Sequence, residues 1–299
     1  MPLPLLVDLI LGLLAGLAGF LVAVWASGTS AVPSRPALAP ARGVGEELAS
    51  HARLRSFLRR RGDRSLVSGF LLSFAGLFVL SAGLVLGVLA SLVRTFSPLN
   101  HLDRAVSAWG FDHRSPVSTH GLEAVTQFGN IRFVVVPAIA VAVWDVVRTR
   151  NAWASVFLLV VLAGMELIST GVKDLVTRAR PALVPAAVHL GPSFPSGHSA
   201  TAAAAYAAAA LVIGRRLPTR SRRVLAAAAV GVAVAVAGSR VLLDLHWLSD
   251  VVGGLALGWG WFALCAIVFG GRLLRPTAAV DTAAATAGDG LPRRTAVHH

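Results

Sequence analysis

Residues 152–181 read AWASVFLLVVLAGMELISTGVKDLVTRARP. From Ala152 to Val172 the stretch is apolar all round, with Glu166 its one charge. A helix needs about 20 such residues to cross the ~30 Å hydrocarbon layer. A surface helix of a soluble bundle would alternate apolar and polar faces, and this stretch does not. It reads as a membrane span that runs into a cluster of cations. Pro181 closes the cluster, because the residue before a proline is pushed out of helical geometry.

Outward from it, six more apolar stretches qualify or nearly qualify: Leu3–Ala26, Leu66–Val93, Phe133–Val147, Ser199–Ile213, Val224–Leu243 and Val251–Phe269. Phe133–Val147 and Ser199–Ile213 are short and must draw on flanking polar residues to span. Glycine and alanine throughout suit close helix contact in lipid. Trp25, Trp144, Trp153 and Trp247 fall near the expected helix ends, as in an aromatic belt. The expected fold is an all-α polytopic membrane protein: a six-helix core over residues 66–275, preceded by one additional N-terminal transmembrane helix and a basic linker (1–65). The Ala/Thr/Gly-rich tail (276–299) is expected to be disordered.

Composition agrees. Of 299 residues, 56% are hydrophobic and 14% charged, against ~25% charged in soluble domains. That excludes a disordered chain, a collagen-like chain and an ordinary soluble enzyme. A single cysteine excludes a disulfide framework and a cysteine-based zinc site.

The net charge of +13 invites a nucleic-acid reading, but its placement gives another. Eight arginines lie between Ser27 and Ser65, and others at Arg148, Arg150, Arg215, Arg216, Arg220, Arg222, Arg223, Arg272 and Arg275. If all seven stretches span, these groups share one side, which the positive-inside rule makes cytoplasmic. Nucleic acid is unnecessary as a partner, and the bilayer is the expected one. The N-terminal stretch lacks a basic residue before its apolar run, so it reads as a retained helix rather than a signal peptide. Gly45–Arg61 reads equally as a basic helix on the anionic leaflet or a solvated linker.

The opposite side carries three polar clusters at membrane boundaries. Lys173 and Arg180 are seven residues apart, two helical turns, so both can face one direction. Lys173 is also the one lysine among 27 Lys and Arg residues. Pro195-Ser196-Gly197-His198 directly precedes a span, where free N–H groups favour an anion. Ser239-Arg240 is followed by His246 and Asp250, an i,i+4 pair. A carboxylate on one ring nitrogen fixes the tautomer and leaves the other nucleophilic. Each cluster alone has an ordinary structural reading: snorkelling, a helix cap, a His–Asp pair. Together they place two histidines, three cations, a carboxylate and a helix N-terminus on one membrane face. No carboxylate cluster is present to hold Mg²⁺. The chemistry that fits is metal-independent, cofactor-free phosphoryl transfer through a phosphohistidine.

The pattern K-x6-RP, PSGH, SR-x5-H-x3-D resembles the three-part signature of the type 2 phosphatidic acid phosphatase superfamily. Lys173, Arg180, Pro181, Pro195, Ser196, Gly197, His198, Ser239, Arg240, His246 and Asp250 match it, over roughly Leu66–Arg275. The resemblance implies that His246 attacks phosphorus and Asp250 orients it. It implies that His198 protonates the leaving oxygen and then activates water. Lys173, Arg180 and Arg240 would neutralise the equatorial oxygens, with Ser196 and the Gly197 N–H completing the cradle.

The implied function is a lipid phosphatase of the plasma membrane, its site on the extracytoplasmic face. By family analogy the expected substrate is a polyprenyl diphosphate such as undecaprenyl diphosphate, with phosphatidic acid or phosphatidylglycerophosphate as the alternative. A vanadate-dependent haloperoxidase and a non-enzymatic protein on the same frame are further readings. The apolar spans argue against the first, and the intact set of cations and histidines against the second.

Other polar residues take plainer expectations. Glu166 reads as a partner for a polar group in the bundle. Asp244 is expected to face solvent or pair locally, and Asp174 with Arg178 to form an i,i+4 pair. Asp112, His113 and Arg114 are expected in a solvated outer loop, and Asp8 near the outer interface.

Overall fold

The computed structural model describes residues 66–184 and 189–273. The expected span at Leu3–Ala26, the linker with Gly45–Arg61, and the tail from Pro276 lie outside the described residues.

The described residues form eight helices and no strand: α1 Leu66–Thr95, α2 Ser97–Asp112, α3 Pro116–Gln127, α4 Ile131–Thr149, α5 Trp153–Val176, α6 Gly197–Gly214, α7 Thr219–Leu242 and α8 Leu248–Leu273. Five are long and apolar enough to cross a membrane; α3 and α4, meeting at 44°, make a sixth if counted as one broken span. Each expected stretch from Leu66 onward falls on one of these helices.

His113 and Arg114, expected in an outer loop, lie in the turn between two helices that no apolar stretch marked, α2 and α3. Both carry proline in the first turn, where the missing N–H costs nothing. The α3 start has a reciprocal cap: Ser118 N donates to Ser115 Oγ at 3.1 Å, and Ser115 N to Ser118 Oγ at 2.9 Å. Neither helix is apolar enough to register as a span, so hydropathy passed over them.

The core is built on α6. Ala200, Ala204, Ala208 and Val212 pack against Phe157, Val161 and Met165 of α5 and Cys265 of α8. Ala202 and Ala203 face Ala233 and Val236 of α7. In lipid no hydrophobic force draws apolar helices together, so close packing must do it. Glycines of α8 supply the closeness. A β-carbon on Gly258 would collide with Ala200 O, and one on Gly254 would stand 2.5 Å from Ser196 O. Many other large apolar side chains point outward, with Leu80 at 71% and Leu167 at 76% exposure.

The two ends of the bundle differ chemically. At one end Asp145 of α4 is buried and pairs with Arg215 and Arg216. At the other end α5 and α7 finish and α6 and α8 begin. All three signature clusters meet there.

Candidate active site

Lys173 occupies the last turn of α5. Thr177 then adopts left-handed geometry (φ 52°) and its N–H closes on Lys173 O at 2.9 Å. The helix therefore stops before Arg178. This overturns the expected Asp174–Arg178 pair: Asp174 is exposed, and Arg178 turns inward. Its guanidinium donates to Asp250 Oδ1 at 2.6 Å, Asp103 Oδ2 at 2.7 Å, Ser249 Oγ at 2.7 Å and Asn100 Oδ1 at 3.2 Å. Two aspartates from α2 and α8, both essentially buried, thus share one guanidinium.

His246 lies between α7 and α8 and is 2% exposed. The loop is pinned by Arg240 O, which accepts the N–H groups of Leu245 and His246 at 3.1 and 3.2 Å. Asp244 also holds it. Expected at the surface or in a local pair, Asp244 is fully buried with positive φ (59°). It accepts from Ser107 Oγ of α2, and from Val184 N at 3.1 Å. Burial pushes its carboxyl above the ordinary range, against those hydrogen bonds and Arg114.

The His246 ring is held on both sides. Nδ1 stands 3.5 Å from Asp250 Oδ2 and makes no hydrogen bond among the described residues. Nε2 stands 3.1 Å from Arg180 Nη1. A guanidinium only donates, so Nε2 offers its lone pair and the ring proton belongs on Nδ1, facing Asp250. Burial pushes the imidazole down to about 4, opposed by Asp250 and aided by Arg240 and Arg180. The ring is therefore neutral near pH 7, with its lone pair toward the cations. Arg180 also donates to Leu245 O at 2.7 Å and Gly191 O at 2.9 Å; burial lowers its pKa from the ordinary value.

Ser196 caps α6 and is fully buried. Its Oγ accepts from Ser199 N at 3.4 Å and Ser199 Oγ at 2.9 Å. Its N–H donates to Asp250 O at 3.0 Å, tying the α6 start to α8. Lys173 Nζ lies over that start, 3.3 Å from where a β-carbon of Gly197 would be. His198 follows, half-buried in the field of Arg240, His246, Lys173 and Arg180. Arg240 is 7% exposed; its Nη1 donates to Thr126 Oγ1 at 3.2 Å, and its Nε has no partner among the described residues.

All eight residues read from the sequence thus gather at one end of the bundle. Among the described residues, Lys173, Arg180 and Arg240 form no ion pair, whereas Arg178 takes two aspartates. A cluster of buried and half-buried cations that form no ion pair of their own is a site for an anion. Also among the described residues, no three His, Cys, Asp or Glu side chains group as a metal would need. Sequence reasoning missed Arg178, Asp103 and Thr126. For Arg178 the signal was present, since Pro181 forbids helix at Arg180 and weakens any helical pairing just before it. Glu166 accepts from Thr201 Oγ1 of α6 at 3.1 Å, the partner role expected of it.

Three comparisons bear on this arrangement. The PAP2 superfamily profile matches residues 154–273. Phosphatidylglycerophosphatase B of Bacillus subtilis (strain 168) is 30% identical over 173 residues, 57% of this chain and 84% of that protein. Lipid A 1-phosphatase of Rhizobium etli is 33% identical over 129 residues, 40% of this chain and 51% of that protein. Among solved structures, the transmembrane PAP2 type phosphatidylglycerolphosphate phosphatase from Bacillus subtilis superposes with a TM-score of 0.62 at 26% identity, covering 66% of this chain and 98% of that one.

Proposed function

The chain belongs to the PAP2 superfamily and is a membrane lipid phosphatase, and from that premise we propose that it cleaves the phosphate monoester of a glycerophospholipid, phosphatidylglycerophosphate first, through a phosphohistidine on His246. The observation that carries the mechanism is the placement of the His246 ring, its Nε2 3.1 Å from Arg180 Nη1 and its Nδ1 facing Asp250. Nε2 attacks phosphorus in line, and the P–O bond to the lipid breaks. His198 gives the leaving alkoxide its proton. The same imidazole then takes a proton from water, whose oxygen attacks the phosphohistidine and frees inorganic phosphate and His246. Asp250 stabilises the imidazolium character that develops at Nδ1. Lys173, Arg180 and Arg240 meet the equatorial oxygens, and Gly197 N–H with the Ser196 hydroxyl completes the cradle. No step requires a metal.

The sequence reading leaned toward a polyprenyl diphosphate. The named relatives act on a phosphatidylglycerophosphate and a lipid A phosphate, and they support a lipid monoester instead. The arginine-rich end at Arg148, Arg150, Arg215 and Arg216 supports placing the site on the extracytoplasmic face.

Phosphate release by purified full-length protein in detergent tests the proposal, with phosphatidylglycerophosphate, phosphatidic acid and undecaprenyl diphosphate as parallel substrates in EDTA. The expected result is fastest turnover of phosphatidylglycerophosphate, with His198→Ala slower by ~10²–10⁴-fold. His246→Ala should form no acid-labile, base-stable phosphoenzyme. Activity that requires added Mg²⁺ refutes the mechanism, and preference for the diphosphate refutes the substrate.

A further inference from the structure

Ser169 stands one turn before Lys173 on α5 and belongs to none of the three signature motifs. It is 4% exposed, and its Oγ has no hydrogen-bond partner among the described residues. A serine inside a helix commonly returns its hydroxyl to the carbonyl four residues back; this one does not. Burying an unpaired hydroxyl is unfavourable, so its position calls for a reason.

Its direction supplies one. A β-carbon built on Gly197 would stand 3.6 Å from Ser169 Oγ and 3.3 Å from Lys173 Nζ. The hydroxyl and the ammonium therefore converge on the first residue of α6. That helix is 18 residues long, and its first-turn N–H groups face the same space. Three kinds of donor meet there: an ammonium, backbone amides and an unengaged hydroxyl.

We propose that Ser169 is a further substrate-binding residue whose hydroxyl donates to the phosphoryl oxygen held by Lys173 and the α6 N-terminus. The inference rests on the phosphatase reading above and deepens it. Lys173 supplies charge on a flexible stem. Ser169 adds a short neutral donor whose reach is fixed by the helix, and it discriminates a correctly seated oxygen from one merely nearby. As charge builds on that oxygen in the transition state, the hydrogen bond strengthens.

The test compares wild type with Ser169→Ala, full-length in detergent. Three readouts are taken: kcat/KM on the lipid monoester, inhibition by orthophosphate, and Tm with and without orthophosphate. Truncation removes an unpaired buried group, so Tm without phosphate should stay level or rise. Yet kcat/KM should fall by ~10–100-fold, and orthophosphate inhibition should weaken by ~10-fold (about 1.4 kcal/mol). A kcat/KM and an inhibition constant both within twofold of wild type overturn the inference. If Ser169→Ala fails to fold, Ser169→Cys keeps the volume with a weaker donor and is judged by the same readouts. If wild type itself releases no phosphate from any lipid, the functional reading fails separately. The orthophosphate-induced Tm shift then decides Ser169 alone, and equal shifts in both proteins refute its role.

Discussion

Arg178 Nη1 lies 2.6 Å from Asp250 Oδ1, so the carboxylate that faces His246 through Oδ2 is held by a guanidinium 72 positions away in the chain. That guanidinium in turn is shared with Asp103 at 2.7 Å. The carboxylate beside His246 is therefore oriented by a residue at an unspecified position of the K-x6-RP stretch, and by α2, which hydropathy did not register.

Arg178→Ala strands two buried aspartates. Breaking a buried pair by removing one partner costs ~3–5 kcal/mol, so a marked drop in Tm is expected. Arg178→Lys retains charge without the fork that spans both acids. It should keep the fold better than alanine but lose most of kcat, because Asp250 is no longer aimed. Adding Asp103→Asn to Arg178→Ala should recover part of the Tm and little of the turnover. Thermal unfolding and phosphate release on the three variants check this.

His246 makes stability depend on pH in a definite window. Its imidazole is held at about 4 in the fold against 6.5 as the ordinary value. Above 6.5 both states are neutral and the contribution is full. As pH falls from 6.5 toward about 4, the unfolded chain binds a proton that the fold refuses, and stability is lost. His246→Asn should flatten that part of a Tm-versus-pH curve, while leaving the curve unchanged above pH 7.

Thr126 is the hydroxyl that receives Arg240 Nη1 at 3.2 Å. Thr126→Val keeps the shape and removes that acceptor. A bond from a charged, buried donor is worth ~1.5–3 kcal/mol, so a moderate fall in Tm is expected. The orthophosphate inhibition constant should also rise several-fold as Arg240 loses its fixed direction.

Glycines divide sharply by place. Gly254→Ala sets a β-carbon 2.5 Å from Ser196 O. α8 must then withdraw from the start of α6, with loss of both Tm and turnover. Gly83→Ala on α1 meets nothing within 4 Å. It should leave turnover intact and not lower Tm, since alanine is the better helix former by ~1 kcal/mol.

The sequence alone determined the class of fold and picked out the eight residues that gather at one end of the bundle. A lipid solvent demands long apolar helices, and phosphoryl chemistry demands unlike polar residues at fixed spacings. Both demands are written in one dimension. The short helices α2 and α3 were harder to read, since neither is apolar enough to span. Only the tertiary structure decided the partners: Arg178 with Asp103 and Asp250, Asp244 with Ser107 and Val184, Thr126 with Arg240. Those contacts join positions on different helices, and no periodicity within one helix records what the next will present to it. The left-handed turn at Thr177 illustrates the difference. Extended as helix, residues 174–178 make a local pair; turned there, Arg178 enters the core and fixes the carboxylate behind His246.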